Sequence, residues 1–300
     1  MDARALLRDY LGLRTVPFWG VHAIALVGVL WAGWSWQGVL LAVGSYVFRM
    51  FFVTAGYHRY FSHRTYKTSR AFQLVLATLG GTASQKGALW WAAHHREHHK
   101  RSDEPGDPHS PRQRGLAWAH VGWIVSKDND RTHVERITDL VRYPELAWLN
   151  RFWIAPVVGY AVAWWLIGGW HGLLWGFFVS TVLLWHGTFV INSLTHVWGR
   201  RRFPSGDDSR NHWLLALVTL GEGWHNNHHH YESSTTQGFY WWEIDPTFWV
   251  LRLFAAARVV WDLRRPPLRV LEHGRQLDAL LRAGGGRASA SRAAPPVVAV

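Results

Sequence analysis

"FWIAPVVGYAVAWWLIGGWHGLLWGFFVSTVLLWHGTFVINSLTHVWG", residues 152–199, runs for 48 residues without one Asp, Glu, Lys or Arg. A helix that crosses a bilayer needs about 20 mostly apolar residues. This stretch is therefore long enough for two, joined at "IGGWHG" (167–172). A second charge-free stretch, Thr15 to Phe48, divides in the same way at "AGWSWQG" (32–38). Together they predict an all-α integral membrane protein with four spans in two hairpins, at about 17–34, 38–57, 152–169 and 172–194. A packed soluble core gives no reason for a gap of that length.

Charge orients the hairpins. Both turns are short and uncharged, and every Lys and Arg except Arg49 lies outside the spans. Basic flanks stay on the cytoplasmic side. The turns then face outward, the N- and C-termini are cytoplasmic, and the membrane is the inner (cell) membrane. Residues 58–150 and 195–275 form a cytoplasmic helical cap, within one domain of residues 1–275. The remainder, 276–300, contains "RAGGGRASASRAAPPVVAV" and reads as a disordered low-complexity tail. The stretch "AFQLVLATLGGTASQ" (71–85) is short for a span and is expected to be interfacial or re-entrant. If it crossed, the histidines on its two sides would face opposite compartments. "FWVLRLFAAARVVWDL" (248–263) reads as amphipathic.

Composition fits that picture. Twenty-two of 300 residues are Trp, a residue that suits the lipid headgroup region. The chain has no cysteine, so thiolate zinc sites and cysteine-bound clusters are excluded. The net charge of +12 favours anionic partners. Nucleic acid would explain the charge but neither charge-free gap, so no nucleic-acid partner is expected.

Nineteen histidines remain to be explained. "HRYFSH" carries His58 and His63, "HREHH" carries His95, His98 and His99, and "HNNHH" carries His225, His228 and His229. In each triplet the i, i+3, i+4 spacing puts the rings on one helical face. Imidazole is the commonest metal ligand and suits iron, copper or zinc. Eight rings exceed what one ion takes, so two metals are implied. Glu222, three residues before His225, can accept a ligand ring's N–H.

HxxxxH, HxxHH and HxxHH in this order, between two pairs of spans, resemble the histidine boxes of the bacterial membrane-bound acyl-CoA Δ9 (stearoyl-CoA-type) fatty acid desaturases. "NSLTH", "GEGWHNNHH" and "DPHS" are similar to further elements of that family, and the likeness covers roughly residues 17–265. The resemblance implies four transmembrane helices under a cap that holds a di-iron centre. Its nine iron-binding histidines correspond to His58, His63, His95, His98, His99, His196, His225, His228 and His229, with Asn192 approaching one iron through water. Asn192 and His196 are i, i+4 and share a helical face. His94 and His230 fall outside the pattern and are expected not to bind metal. His22, His109, His120, His133, His171, His186, His212 and His273 are expected to be packed or solvated.

The implied reaction is O₂-dependent desaturation. Two Fe ions (Fe²⁺/Fe³⁺) and O₂ as co-substrate remove one hydrogen from each of two adjacent methylenes and leave a cis double bond. The resemblance places Gln85, Trp91 and Thr188 at the bend of an acyl tunnel. The depth of Tyr46 and Met50, roughly 18 and 12 Å before His58 along a helix, suggests that they floor it and favour chains of 16 carbons or fewer. Long-chain acyl-CoA is the expected substrate, although Ala93 stands where animal relatives have arginine, which keeps acyl-carrier-protein and lipid-linked substrates open. These 300 residues hold no cysteine and no His-Pro-Gly-Gly haem motif, so no fused redox domain is expected. Electrons must come from a separate ferredoxin, rubredoxin or cytochrome b5-type protein with an NAD(P)H reductase. A fatty acid or alkane hydroxylase of related chemistry is one alternative. The other is a histidine-rich divalent-metal transporter, for which only Arg49 and His186 offer ionisable groups at membrane depth.

Overall fold

The computed structural model describes Tyr10 and residues 12–283, and helices dominate it. Three helical runs are long and apolar enough to cross a membrane: Leu13–Ala32, Trp36–Ser62 and Ile154–His196. The first holds helix α1 (Val16–Ala32) and the second begins with α2 (Trp36–Phe51). Between them Gly33 takes φ 75°, and the Ser35 hydroxyl accepts the Gly38 N–H at 3.0 Å, which caps α2. Large apolar side chains such as Trp31, Leu40 and Leu166 stay more than two-thirds exposed. So broad an apolar surface suits lipid and not water.

The third run spans 43 residues, which as a straight helix would be about 65 Å long. It is not straight. Helix α3 (Ile154–Gly172) is interrupted at Gly168 and Gly169, where φ reaches −138° and +55°. A side chain on Gly172 or Gly176 would collide with Trp164. In a straight helix those residues would lie about 12 and 18 Å from Trp164, so the chain doubles back there. The returning arm passes through a wide π-turn segment, Leu173–Val179, into α4 (Ser180–Ser193) and a 3₁₀ turn ending at His196.

At its C-terminal end α2 passes without a break into a π-helix, Phe52–Ser62. Against it lie Arg70–Gly81 (α5) and Ala88–Lys100 (α6). Helix α5 is 12 residues long, about 18 Å, far short of a bilayer's hydrocarbon depth. Glycines make the contact: Gly56 packs on Leu76, and Gly80 takes the face of Tyr57. The main core gathers Tyr57, Phe61, Leu76, Leu89, Leu140 and Leu251 at this junction. Pro246–Ala256 (α7) and a two-residue antiparallel pair, Lys67–Thr68 with Val260–Trp261, close it.

The last described helix, Leu268–Ala283 (α8), carries regular structure eight residues into the segment read as tail. Its inner face explains this: Val270, Gly274 and Asp278 are buried, and Asp278 pairs with Arg200 and Arg202. The rest of the expected tail, 284–300, lies outside the described residues.

The two ionisable groups noted at membrane depth are packed. Arg49 is buried without a carboxylate partner among the described residues; it donates to the Thr82 carbonyl, Ser180 Oγ and Thr181 Oγ1 and lies over the Tyr160 ring. His186 lies between His22 and His120, 3.2 and 2.9 Å from their ring nitrogens.

Candidate metal centre

The five-residue spacing of His58 and His63 would place the rings about 140° apart on an α-helix. The π-helix removes that problem, because its wider turn bonds residue i to i+5. The His63 N–H donates to the His58 carbonyl at 3.3 Å. Both rings thereby face the same space as α6. From α6, His95 and His99 point into one cluster and His98 into another. The short helix His225–His230 (α9) does the same, sending His228 to the first cluster and His225 and His229 to the second.

One nitrogen from each of His58, His63, His95, His99 and His228 lies within 4.8 Å of all the others. The same is true of His98, His196, His225 and His229. Within the first cluster Nε2 atoms approach to 3.0 Å (His58 and His228), 2.8 Å (His63 and His95) and 3.0 Å (His99 and His228). In the second, His196 Nε2 and His225 Nε2 are 3.1 Å apart. Nε2 of His98 and of His229 are buried with no hydrogen-bond partner. A buried polar atom left unpaired is costly, and a cation between the rings removes that cost. The nine nitrogens thus fit two borderline transition ions. Because both triplets serve both clusters, neither can shift without the other.

Carboxylates hold the rings from behind. His98 Nδ1 lies 3.0 Å from both oxygens of Asp107, and His196 Nδ1 lies 2.8 Å from Asp103 Oδ2. His229 pairs with Asp207, and His58 with Glu222. One oxygen of Glu232 serves His63 Nδ1 at 3.4 Å and His99 Nδ1 at 3.1 Å. Arg59 Nε and Nη2 donate to Glu222 at 3.1 and 3.0 Å. This is the arrangement that fixes a ligand ring's tautomer and raises its basicity.

Protonation follows from the packing. Burial first, then repulsion from neighbouring rings, holds His63, His95, His98, His225 and His228 well below 6.5. Burial and the adjacent His99 bring His229 to about 4. These rings are neutral near pH 7, the form that binds metal. Burial opposes ionisation of Asp103, Asp207 and Glu222, yet the facing histidines outweigh it and keep all three low. Glu232 is held low chiefly by its contacts with His63 and His99.

The nine histidines expected at the metals are accordingly gathered in two groups. Asn192 lines a small cavity beside them together with His58, His95, His98 and His225. His94 and His230 stay out of both clusters. His94 Nδ1 contacts the Trp90 carbonyl at 2.9 Å, and His230 stacks on Phe203. Glu222 touches a ligand ring, but that of His58 and not that of His225 three residues on. Four further carboxylates escaped sequence reasoning, since Asp103, Asp107, Asp207 and Glu232 reach their rings across loops without helical periodicity. The nearest signal was "DPHS", which holds Asp107. His109, expected to be merely packed, stands 4.1 Å from His98 ring to ring, and could share a cation with His98 and Asp107.

A cavity of about 670 Å³ adjoins the first cluster, a size typical of ligand sites. Gln85, Trp91 and Thr188 line it and are bonded together: Gln85 Nε2 donates to Thr188 Oγ1 at 2.9 Å, and Trp91 Nε1 donates to Gln85 Oε1 at 3.3 Å. Its polar lining includes Arg14, Lys86, Asp130 and Arg151, with Asp130 paired to Arg14 and Lys86. Burial, aided by Arg14, lowers the Lys86 ammonium to about 8. Its apolar lining includes Phe18, Val21, Val157, Phe177 and Trp185. Tyr46 and Met50 do not line it. They pack instead on Gly187 of α4, and the Tyr46 hydroxyl donates to the Val218 carbonyl at 2.6 Å. Gly187 has no side chain to keep α2 away, so α2 closes on α4 there and not on the cavity.

The family model described as "Fatty acid desaturase" matches residues 34–265. The chain is 36% identical to the sn-2 palmitoyl-lipid 9-desaturase of Nostoc sp. (strain 36), over 86% of this chain and 92% of that one. It is 34% identical to the sn-1 stearoyl-lipid 9-desaturase of Anabaena variabilis, over 80% and 89%. It is 33% identical to the hex-5-enoyl-[acyl-carrier protein] acetylenase of Moorena producens (strain JHB), over 90% and 92%. With its histidine clusters and apolar helices, the chain belongs to the fatty acid desaturase family and is an oxidoreductase of lipid metabolism.

Proposed function

We propose that this protein is an O₂-dependent acyl desaturase that places a cis double bond, at Δ9, in a saturated acyl chain. The observation that carries the reading is the meeting of nine histidine nitrogens in two groups beside a cavity with an apolar wall. Two irons are the ions we assign to them, held by His58, His63, His95, His99 and His228 and by His98, His196, His225 and His229. Bound there, iron supplies the activation of O₂ that side chains alone cannot perform. The protein's own part is positioning. Gln85, Trp91 and Thr188 bend the acyl chain past the centre, apolar walls exclude water, and Asn192 borders the space between substrate and metal. The hairpin fold-back at Gly168–Gly169 supports counting the third apolar run as two spans. That gives four in all, with the histidines on the cytoplasmic side of an inner membrane.

For the acyl carrier we favour a membrane lipid. The relatives of highest identity reported above are named for lipid-linked substrates. Two of the cations at the cavity, Arg14 and Lys86, are already paired with Asp130, which leaves them less free for the phosphates of coenzyme A. Acyl-CoA, favoured by the net charge, is the second reading, and acyl-carrier protein the third. The test is fatty-acid profiling of lipids from a host that expresses the chain, followed by assays of the purified protein. We expect Δ9 cis-monoenes from a palmitoyl- or stearoyl-lipid with a ferredoxin system. Alcohols in place of alkenes would make the protein a hydroxylase, and desaturation of acyl-CoA alone would reverse the choice of carrier.

A further inference from the structure

Desaturation needs electrons from outside, and the cover over the histidine clusters is uneven. Of the five carboxylates that grip ligand rings, Asp103, Asp107, Asp207 and Glu222 are between 2% and 6% exposed. The Glu232 side chain is 56% exposed, although it touches both His63 and His99. Among these five carboxylates Glu232 alone reaches from the first cluster to solvent. Electron transfer weakens steeply with distance, so a donor gains most by docking at this thinnest point.

The surface around Glu232 is basic. Arg64 follows His63, and Lys100 follows His99. Arg264 joins the same surface through its backbone: its N–H donates to the Thr65 carbonyl and its carbonyl accepts from Thr235 N–H. Arg96 is tied to the carbonyls of Phe61 and Ser62 and to Asp139, which also takes Arg64. Glu97 pairs with Arg101 and Arg136. Six cations thus meet three carboxylates, Glu97, Asp139 and Glu232, an excess of three positive charges. Lys100 and Arg264 make no side-chain ion pair among the described residues.

We propose that this rim is the docking surface for an acidic one-electron carrier protein, whose redox centre is brought against Glu232 and the edges of His63 and His99. The inference rests on the desaturase reading. The balance is R–CH₂–CH₂–R′ + O₂ + 2 e⁻ + 2 H⁺ → R–CH=CH–R′ + 2 H₂O. The substrate loses two C–H bonds, the O–O bond breaks, four O–H bonds form, two carrier molecules are each oxidised by one electron, and solvent supplies the two protons.

The test uses the full chain in lipid nanodiscs, with an acidic [2Fe–2S] ferredoxin and its NADPH reductase as the probe. Rim charges act mainly on association and its salt dependence. The K100E/R264E variant should raise the KM for ferredoxin about tenfold, while a single turnover of dithionite-reduced protein stays at the wild-type level. The milder K100Q/R264Q variant should raise KM by a smaller factor in the same assay. An unchanged KM in both variants would overturn the proposal, as would an equal loss in the dithionite assay. If wild-type protein forms no alkene after dithionite reduction, the desaturase reading fails and this inference fails with it. Alkene formation with an unmoved KM rejects the docking surface alone.

Discussion

His98 carries two loads, since its Nδ1 is held by both oxygens of Asp107 while its Nε2 is left for the second cluster. Asp107 in turn accepts the backbone N–H groups of Asp103 and His109 at 2.8 and 3.1 Å, so one side chain sets the geometry of a whole loop. Partners that orient ligand rings typically matter 10–100-fold for metal affinity. Asp107→Asn should therefore weaken metal binding by about that factor without removing a ligand, as measured by competition with a chelator. His94 and His230 make the contrast. Their spacing resembles that of ligands, yet their rings pack on Trp90 and Phe203, and alanine at either should leave metal content unchanged. Residue type and spacing picked out eight of the nine gathered histidines, and the resemblance of "NSLTH" to a desaturase element added His196. They did not identify Asp103, Asp207 or Glu232, whose positions depend on loops that no local pattern specifies.

At the scale of elements, the HxxxxH pair works because the backbone around it is π-wound, a choice invisible in the residue pattern. The chain reversal inside residues 152–199 was legible, since length alone forbids a single span and Gly168–Gly169 marks the place. Tags near Trp34 and Gly169 are expected to be labelled from outside the cell, and a tag near Arg112 is not. Labelling at Arg112 would place the cap on the wrong side. Depth along a helix put Tyr46 and Met50 at a suitable distance from His58, but neither lines the cavity and both pack on Gly187. Phe177 does line the cavity, 19 residues before His196 and so roughly 28 Å deep along the returning arm. Phe177→Ala should shift products toward longer chains when palmitoyl and stearoyl substrates compete, and Met50→Ala should leave the ratio unchanged.

Across the whole molecule, the site is made from segments spread between residues 58 and 232, and burial together with the repulsion that charged neighbours would bring keeps rings such as His95 and His228 neutral. That has a consequence for the metal-free protein. Its buried His63, His95, His98, His225 and His228 take up protons well below 6.5 and His229 at about 4, whereas in the unfolded chain they do so near 6.5. Between those values the unfolded chain binds more protons, so stability falls as pH drops. The apoprotein should lose thermal stability steadily from pH 7 to pH 5, and metal-loaded protein should lose much less, since bound metal excludes the proton. Equal slopes with and without metal would mean that the rings are not the groups that titrate.

The two histidine groups should hold two irons at once. Metal analysis of protein purified without oxygen decides this, with His98→Ala measured beside the wild type. About two irons per wild-type chain are expected, and in the variant loss of iron from the second group with the chain still inserted in the membrane. One iron per wild-type chain, or an unchanged two in the variant, would overturn the assignment of the two groups as a pair of iron sites.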